Sequence, residues 1–269
     1  MHLVHTTSEQ VQQVKAPQVP LLECDALSFA YGDRLVLDRL QLSVAQGETV
    51  SLLGPSGCGK TTLLNLLAGF IHPSSGSLLV NGKPVTGPGP DRGVVFQSYA
   101  LFDWMTLEDN IAFGLRCAGA SRAQQKAVAK EMIALVGLTG FEQSYPYQLS
   151  GGMQQRCSLA RVLAAKPSVM LMDEPFAALD VQTREKLQEE ILRIQAATGT
   201  TIVFVTHSID EAVFLSDRVM LFTPGGQGRF TEFQVDLPLP RTQAKNRLDE
   251  QFLTLRNTIY RAMHSEVRA

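Results

Sequence analysis

Gly54-Pro-Ser-Gly-Cys-Gly-Lys-Thr61 is a glycine-rich octet set between two apolar runs. Before it stands Glu48-Thr-Val-Ser-Leu-Leu53, whose aliphatic and β-branched residues predict a buried parallel strand. After it stands Thr62-Leu-Leu-Asn-Leu-Leu-Ala68, strong helix formers with leucines on more than one face. Strand, loop and helix in this order place the glycines at a helix N-terminus. Gly57 and Gly59 permit backbone conformations that a Cβ would obstruct, so successive N–H groups can turn inward around an anion. A helix beginning at Lys60 adds unpaired N–H groups and the positive end of its dipole.

Two glycines with four residues between them, followed by Lys and Thr, form the phosphate-loop pattern. The pattern assigns a nucleoside triphosphate to Gly54, Pro55, Ser56, Gly57, Cys58, Gly59, Lys60, Thr61 and Thr62. Lys60 is expected on the β- and γ-phosphates and the Thr61 hydroxyl on Mg²⁺. Cys58 lies inside the loop, so alkylation there is expected to block nucleotide binding.

Composition narrows the class. The 269 residues can hold one large domain or a core with an inserted subdomain. A net charge of −2 gives no basic field for nucleic acid, and none is expected as a partner. No apolar run approaches the roughly 18 residues that span a bilayer. Residues 1–20 are polar and Gln-rich and predict a loose tail without signal-peptide character. Four scattered cysteines lack metal-ligand spacing and fit reduced thiols.

Leu21–Ala30 and Arg34–Val44 read as strands around the turn at Tyr31-Gly32-Asp33, and Leu40-Gln-Leu-Ser-Val44 alternates apolar with polar. They predict a small antiparallel sheet ahead of the phosphate-loop strand. Tyr31, at its hinge, either packs locally or stacks on an adenine ring. Ser77–Val80 and Arg92–Phe96 are further strands. From Ser98 to Lys166 helical periodicity takes over, at Leu107–Leu115, Gln124–Val136 and Gly151–Ala165. Strand character returns at Ser168–Met172 and Thr201–Thr206, with helices at Val181–Ala196 and Ile209–Leu215. Arg218–Thr223 and Arg229–Val235 are late strands. The expected fold is α/β: a P-loop NTPase core with a mainly parallel sheet, an N-terminal antiparallel β-subdomain and an inserted helical subdomain. The expected division is a core of 21–97 and 167–240, an insert of 98–166, and a helical tail from 241 to 269. Leu248, Phe252, Leu255, Ile259 and Met263 predict one helical face within Lys245–Met263, packed on the chain's own core or on a partner.

In open α/β sheets ligands bind beyond the carboxyl ends of the strands. Four such ends here carry polar residues: the loop at Gly54, Gln97, Asp173-Glu174 and His207. If their strands are neighbours, all four converge on one phosphate. Asp173 suits the Mg²⁺ shell, and Glu174 is placed to polarise an attacking water. An acidic cap pair before Pro175 is the alternative. His207 is either a satisfied core histidine or a donor to the γ-phosphate. The Gln97 amide can reach Mg²⁺ or the lytic water, and it opens the path into the helical insert. Leu149-Ser-Gly-Gly-Met-Gln-Gln-Arg156 is a second helix start, with Ser150 as N-cap and Gly151 and Gly152 baring N–H groups. It either caps a helix and nothing more, or serves a second subunit's nucleotide in a two-fold dimer.

Taken in order, Gly54–Thr61, Gln97, Leu149–Gln154, Val169–Glu174, Ala178-Leu-Asp180 and His207 resemble the phosphate loop, Q-loop, signature, Walker B strand, D-loop and H-loop of an ABC transporter ATPase. The resemblance runs from about Leu22 to Val235. It implies ATP hydrolysis with Mg²⁺, Tyr31 as the adenine-stacking ring, and a head-to-tail homodimer. In that dimer Ser150 and Gly152 meet the γ-phosphate held by the other chain, and Asp180 ties the two sites together. Met153 stands where the family most often has Gln, which leaves the phosphate contacts to Ser150 and backbone N–H groups.

Gly82-Lys-Pro-Val-Thr-Gly-Pro-Gly-Pro-Asp-Arg-Gly-Val-Val-Phe-Gln97 and Leu101-Phe-Asp-Trp104 are similar to the nitrate/sulfonate/taurine import group, as are Asp109–Leu115, Phe176–Asp180 and Pro238–Arg241. The taurine type is the nearest likeness. Nitrate, bicarbonate or another small solute, and a soluble non-transport ATPase of the same class, are the alternatives. The group resemblance implies a peripheral subunit on the cytoplasmic face of a bacterial inner membrane. It would dock on membrane permease subunits served by a periplasmic solute-binding protein. Phe102 and Trp104 are expected either in the docking groove or packed internally.

Overall fold

The computed structural model describes residues 20–246 and 248–265. The expected tail over residues 1–20 lies outside the described residues except for Pro20, which already begins the first strand. In chain order the elements begin with β1 (Pro20–Tyr31), β2 (Arg34–Ala45), β3 (Thr49–Leu53), α1 (Lys60–Ala68), β4 (Ser75–Val80), β5 (Lys83–Pro84) and β6 (Arg92–Val95). Three helices follow: α2 (Leu107–Cys117), α3 (Arg122–Leu135) and, after a tight turn at Pro146–Gln148, α4 (Gly151–Ala164). The remainder is β7 (Val169–Asp173), α5 (Val181–Thr198), β8 (Thr201–Thr206), α6 (Ile209–Leu215), β9 (Arg218–Phe222), β10 (Phe230–Gln234), α7 (Gln243–Asn246) and α8 (Glu250–Ser265).

Six strands form the central sheet in the order β10-β9-β3-β8-β7-β6. All its pairings are parallel except β9 with β10. Strands β3, β7, β8 and β9 are buried on both faces, which is why their sequences are nearly continuous apolar runs, whereas edge strand β10 is largely exposed. Successive residues still point to opposite sides. Val169, Leu171, Val203 and Val205 face α1 and the antiparallel sheet, whereas Met170, Met172, Ile202 and Phe204 face the helices of the other layer. Each such side chain, fully buried, stabilises the fold by about 1.5–3 kcal/mol.

The second sheet is antiparallel, in the order β2-β1-β4-β5. In β2, Leu40, Leu42 and Val44 are buried and Gln41 and Ser43 exposed, so the alternation seen in the sequence marks its two faces. Sequence reading found the β1–β2 pair but not its extension. Strand β4 starts at Ser75, two residues earlier than expected, and lies antiparallel to β1 after a helix has intervened.

The C-terminal stretch departs from expectation. It is not one helix from Lys245: α7 ends at Asn246 and α8 begins at Glu250. The Asp249 carboxylate accepts the Phe252 N–H at 3.0 Å, an N-cap that starts a new helix there. Leu248 lies outside both helices and is exposed, while Phe252 and Ile259 are buried in the core and Leu255 and Met263 pack against it. Arg241, just ahead of α7, is buried. Its guanidinium donates to Phe214 O at 3.1 Å, Ser216 O at 2.6 Å and Val235 O at 3.5 Å, closing the end of α6 against the outgoing chain. Burial lowers its pKa, and the negative charge of Asp217 opposes that shift. Arg241→Met would strand carbonyls in the core and is expected to cost about 2–4 kcal/mol, read as a lower urea midpoint at unchanged slope. A change under about 0.5 kcal/mol would show that these bonds contribute nothing net. Among the described residues no helix is long and apolar enough to cross a membrane.

Candidate nucleotide site

Strands β3, β8, β7 and β6 are consecutive neighbours, so the four polar strand ends do fall side by side. The register levels them: Leu53 pairs with Thr206, Val205 with Asp173 and Met172 with Val95. One edge of the sheet therefore carries the glycine loop, His207, Asp173-Glu174 and Gln97, in that spatial order.

The loop leaves β3 at Gly54, whose φ of +150° and close approach to the Phe222 carbonyl leave no room for a Cβ. Gly59, at φ 102°, is the N-cap of α1 and packs on Leu37 and Val36 of β2. Ser56 and Gly57 are exposed at the tip, while Cys58, Gly59 and Lys60 are buried. Lys60 Nζ donates to Gly54 O and Pro55 O, each at 2.7 Å, with Cys58 Sγ 3.6 Å away. Among the described residues it has no carboxylate within ion-pair distance. A buried ammonium held only by neutral acceptors, beside a helix N-terminus, is a centre prepared for a polyphosphate.

Thr61 is exposed, and its hydroxyl points to Asp173 Oδ1 at 3.5 Å. Burial, and then the neighbouring Glu174 charge, raise the Asp173 pKa against the opposing pull of Thr61 and Lys60. A carboxylate reluctant to ionise beside a hydroxyl is a site that a divalent cation would relieve, and hard oxygens suit Mg²⁺. Among the described residues no cluster of three His, Cys, Asp or Glu side chains gathers as a metal site.

Glu174 sits at φ 43°, in the left-handed region that costs a side-chain residue of order 1–2 kcal/mol. Its N–H is held by Val205 O at 3.1 Å, and its Oε2 lies 3.4 Å from His207 Nδ1. The strained turn aims the carboxylate off the sheet edge instead of along the chain. The His207 side chain is 65% exposed, so it is not the satisfied core histidine that sequence alone allowed.

Gln97 is exposed beyond the end of β6. Tyr99 and Ala100, which follow, both have positive φ, at 60° and 49°. Arg161 of α4 holds that turn, donating to Ala100 O at 2.6 Å and Tyr99 O at 3.1 Å. Tyr31 ends β1 with its ring edge-on to Phe29, 4.8 Å between centroids, and 54% exposed. Its hairpin is the one that touches Gly59, so an exposed aromatic face stands beside the loop.

Ser150 caps α4, accepting the Met153 N–H at 3.4 Å, and is exposed. A Cβ on Gly152 would fall 2.4 Å from Thr183 Cγ2, so a side chain there would displace Thr183, and Gly151 packs closely on the Tyr99 hydroxyl. Helix α4 packs on β6, three strand positions from β3, about 14 Å at ordinary strand spacing. Its bare N-terminus meets Thr183 of α5 and the Tyr99 hydroxyl, whereas the loop at Gly54 to Gly59 meets Phe222, Val36 and Leu37. Asp180 caps α5 by accepting the Thr183 N–H at 3.0 Å, and this bonding lowers its pKa. Phe102 packs on Phe113 with centroids 4.5 Å apart, whereas Trp104 is 74% exposed.

Arg161, Arg184 and Glu211 were not singled out from sequence, and Tyr99 was expected only as the start of the docking stretch that runs to Trp104. Arg161 lies on α4, three turns beyond its N-cap Ser150, which was the one available hint. Its hydrogen-bond partners are backbone carbonyls, which leave no trace in side-chain pattern, and its guanidinium also lies over the Phe102 ring, 5.7 Å from the centroid.

A buried parallel strand, a glycine loop, a helix led by Lys60 and a carboxylate at the next-but-one strand end define a P-loop protein that binds nucleoside triphosphate. The family model described as ABC transporter matches residues 37–177, and the chain belongs to that family. An uncharacterized ABC transporter ATP-binding protein of Methanocaldococcus jannaschii is 50% identical over 88% of this chain and 87% of its own length. A taurine import ATP-binding protein of Escherichia coli is 46% identical over 79% of this chain and 83% of its own. A nitrate import ATP-binding protein of Synechococcus elongatus is 43% identical over 88% of this chain, which spans 37% of that longer protein. Two solved structures share the fold. One is cbiO1 of Clostridium perfringens, with TM-score 0.75 and 24% identity over 91% of this chain and 98% of that one. The other is an ATP-binding cassette solved as a dimer in a post-hydrolysis state with ADP and Pi. Its TM-score is 0.69 and its identity 28%, over 81% of this chain and all of that one.

Proposed function

We propose that this chain is the ATP-hydrolysing subunit of an importer for taurine or a related sulfonate, working as a homodimer on membrane permease subunits. The observation that carries the reading is the separation within one chain of two anion-ready helix starts, at Gly59 and at Ser150. Two copies placed head to tail bring each chain's Ser150 to the other's loop and enclose two nucleotides. The solved dimer of a 28% identical cassette supports this assembly. The taurine and nitrate import relatives support the direction of transport. The nitrate relative, at 43% identity, also keeps a small inorganic anion open as a second reading of the solute.

In this reading Lys60 and the loop N–H groups bind the β- and γ-phosphates, and Tyr31 covers the adenine. Thr61 and Asp173, with the Gln97 amide, would hold Mg²⁺, which neutralises phosphate charge when bound. Glu174 accepts a proton from the attacking water, and His207 donates to the γ-phosphate oxygen as charge develops there. The partner's Ser150 and Gly152 face that same phosphate, and Asp180 lies at the seam between the two sites. Hydrolysis releases the seam, and Gln97 passes the change to α2–α4. The subunit acts at the cytoplasmic face of a bacterial inner membrane, and a periplasmic binding protein supplies the solute to the permease.

The docking surface is placed at Phe102 and Trp104, whose rings are 5.4 Å apart beside the Tyr99–Ala100 turn. Replacing both with Ala is expected to lower solute uptake at least tenfold in whole cells while ATP turnover by the purified subunit stays within about twofold. Unchanged uptake would remove the docking surface from this place, and failure of the subunit to co-purify with any permease would contradict the transport reading.

A further inference from the structure

Behind His207 lies a set of polar side chains that the proposed chemistry does not use. Thr206, the residue before His207, is 1% exposed and ends β8. Its hydroxyl donates to Glu211 Oε2 at 2.6 Å and accepts the Ser208 N–H at 3.0 Å, so one side chain fixes the backbone on both sides of His207. Glu211 is buried on α6 and faces Arg184 of α5, with Oε1 3.9 Å from Nε. Arg184 in turn donates through Nη2 to Leu179 O at 2.9 Å, and its own N–H donates to Asp180 O at 2.9 Å.

The two ends of the guanidinium differ. Nη2 has a full hydrogen bond to the Leu179 carbonyl, whereas buried Nε has no hydrogen-bond acceptor and only the long contact to Glu211. A displacement of about 1 Å of the Leu179–Asp180 segment would make the missing Nε bond, since hydrogen bonds fail beyond about 3.2–3.5 Å. A cavity of about 330 Å³, lined by Arg184, Glu211, Phe252 and Arg256 among others, borders the pair and gives the guanidinium room to re-aim.

We propose that Arg184 and Glu211 are positioning residues that transmit the placement of the Leu179-Asp180 segment to His207, so that its imidazole is aimed only when that segment is seated. The link is Leu179 O to Arg184, Arg184 to Glu211, Glu211 to Thr206, and Thr206 to the His207 turn. Closure of the seam at Asp180 then draws Arg184 onto Glu211 and locks the turn. The inference rests on the reading of His207 as the γ-phosphate donor, and it adds the device that gates that donor.

The test is ATP hydrolysis by the full-length chain with kcat and KM resolved, alongside thermal unfolding and His207→Ala as reference. Glu211→Gln and Arg184→Gln are each expected to lower kcat about ten- to hundredfold with KM for ATP within about twofold, as misplacement of a catalytic group does. The double variant is expected to fall no further than the worse single one, because both cut one link. Arg184→Lys is expected not to rescue, since a single ammonium on a shorter stem does not reach both Leu179 O and Glu211, which the guanidinium faces through separate nitrogens, Nη2 and Nε. Unchanged kcat in folded Glu211→Gln, or multiplicative losses in the double variant, would each overturn the proposal. Should Glu211→Gln fail to fold, Thr206→Val, isosteric within β8, carries the same expectation and the same refutation. If His207→Ala itself turns over normally, the reading of His207 fails. If only His207→Ala is impaired, the reading stands and the gating link fails.

Discussion

Glu174→Gln is expected to lower ATP turnover about a thousandfold while leaving ATP affinity within about threefold, the size of effect seen when a positioned general base is lost. The amide keeps the shape of the carboxylate and can still meet His207, which lies 3.4 Å from Oε2. It cannot take a proton from water. The positive φ at Glu174 is set by the backbone, through its N–H bond to Val205 O, and does not depend on the charge. The loop at Gly54–Thr61 is untouched, so nucleotide still binds. The variant is expected to accumulate as an ATP-bound dimer in size-exclusion chromatography. Turnover within tenfold of the parent would remove Glu174 from the proton-transfer role.

Ser150→Arg is expected to abolish turnover by at least a hundredfold, with ATP binding to the isolated chain unchanged. The loss has two sources that differ in size. Removing the N-cap costs α4 about 1 kcal/mol, which the packing of Gly152 on Thr183 and of α4 on β6 absorbs. Removing a donor from the γ-phosphate, and placing a long side chain in a closed seam, costs about 3–4 kcal/mol of transition-state stabilisation. The second term dominates only if Ser150 faces a nucleotide. Turnover within threefold of the parent would reduce this helix start to a cap and nothing else.

Much of this site is legible in sequence because it is built on local patterns. Val169–Met172 and Ile202–Val205 are wholly apolar because both faces of β7 and β8 are covered, and each run stops near the sheet edge. The polar residue at each stop is therefore visible as a break in hydrophobicity. What sequence withholds is long-range. Nothing in Ser75–Val80 announces that it lies beside β1, because a strand pairs through backbone groups common to all residues. Arg161 and Arg241 act on carbonyls, so no partner residue betrays them. Glu211 looks like an ordinary first-turn acid of α6, and only the fold shows it turned inward onto Thr206. The break between α7 and α8 was available in principle. Asp249 three residues before Phe252 is a cap signal, but the apolar stripe running through Leu248 concealed it.

The central claim is that each ATP is held by one chain's Lys60 loop and the other chain's Ser150 helix. The most direct measurement is single-turnover hydrolysis by two purified, differently tagged heterodimers, each carrying one Lys60→Ala and one Ser150→Arg. With the two substitutions on opposite chains, both defects fall in one site and the other site is intact, so hydrolysis at one site is predicted. With both substitutions on the same chain, each site carries one defect, and no hydrolysis is predicted. The reverse pattern, activity with the substitutions together and none with them apart, would mean that each chain completes its own site, and would contradict the account.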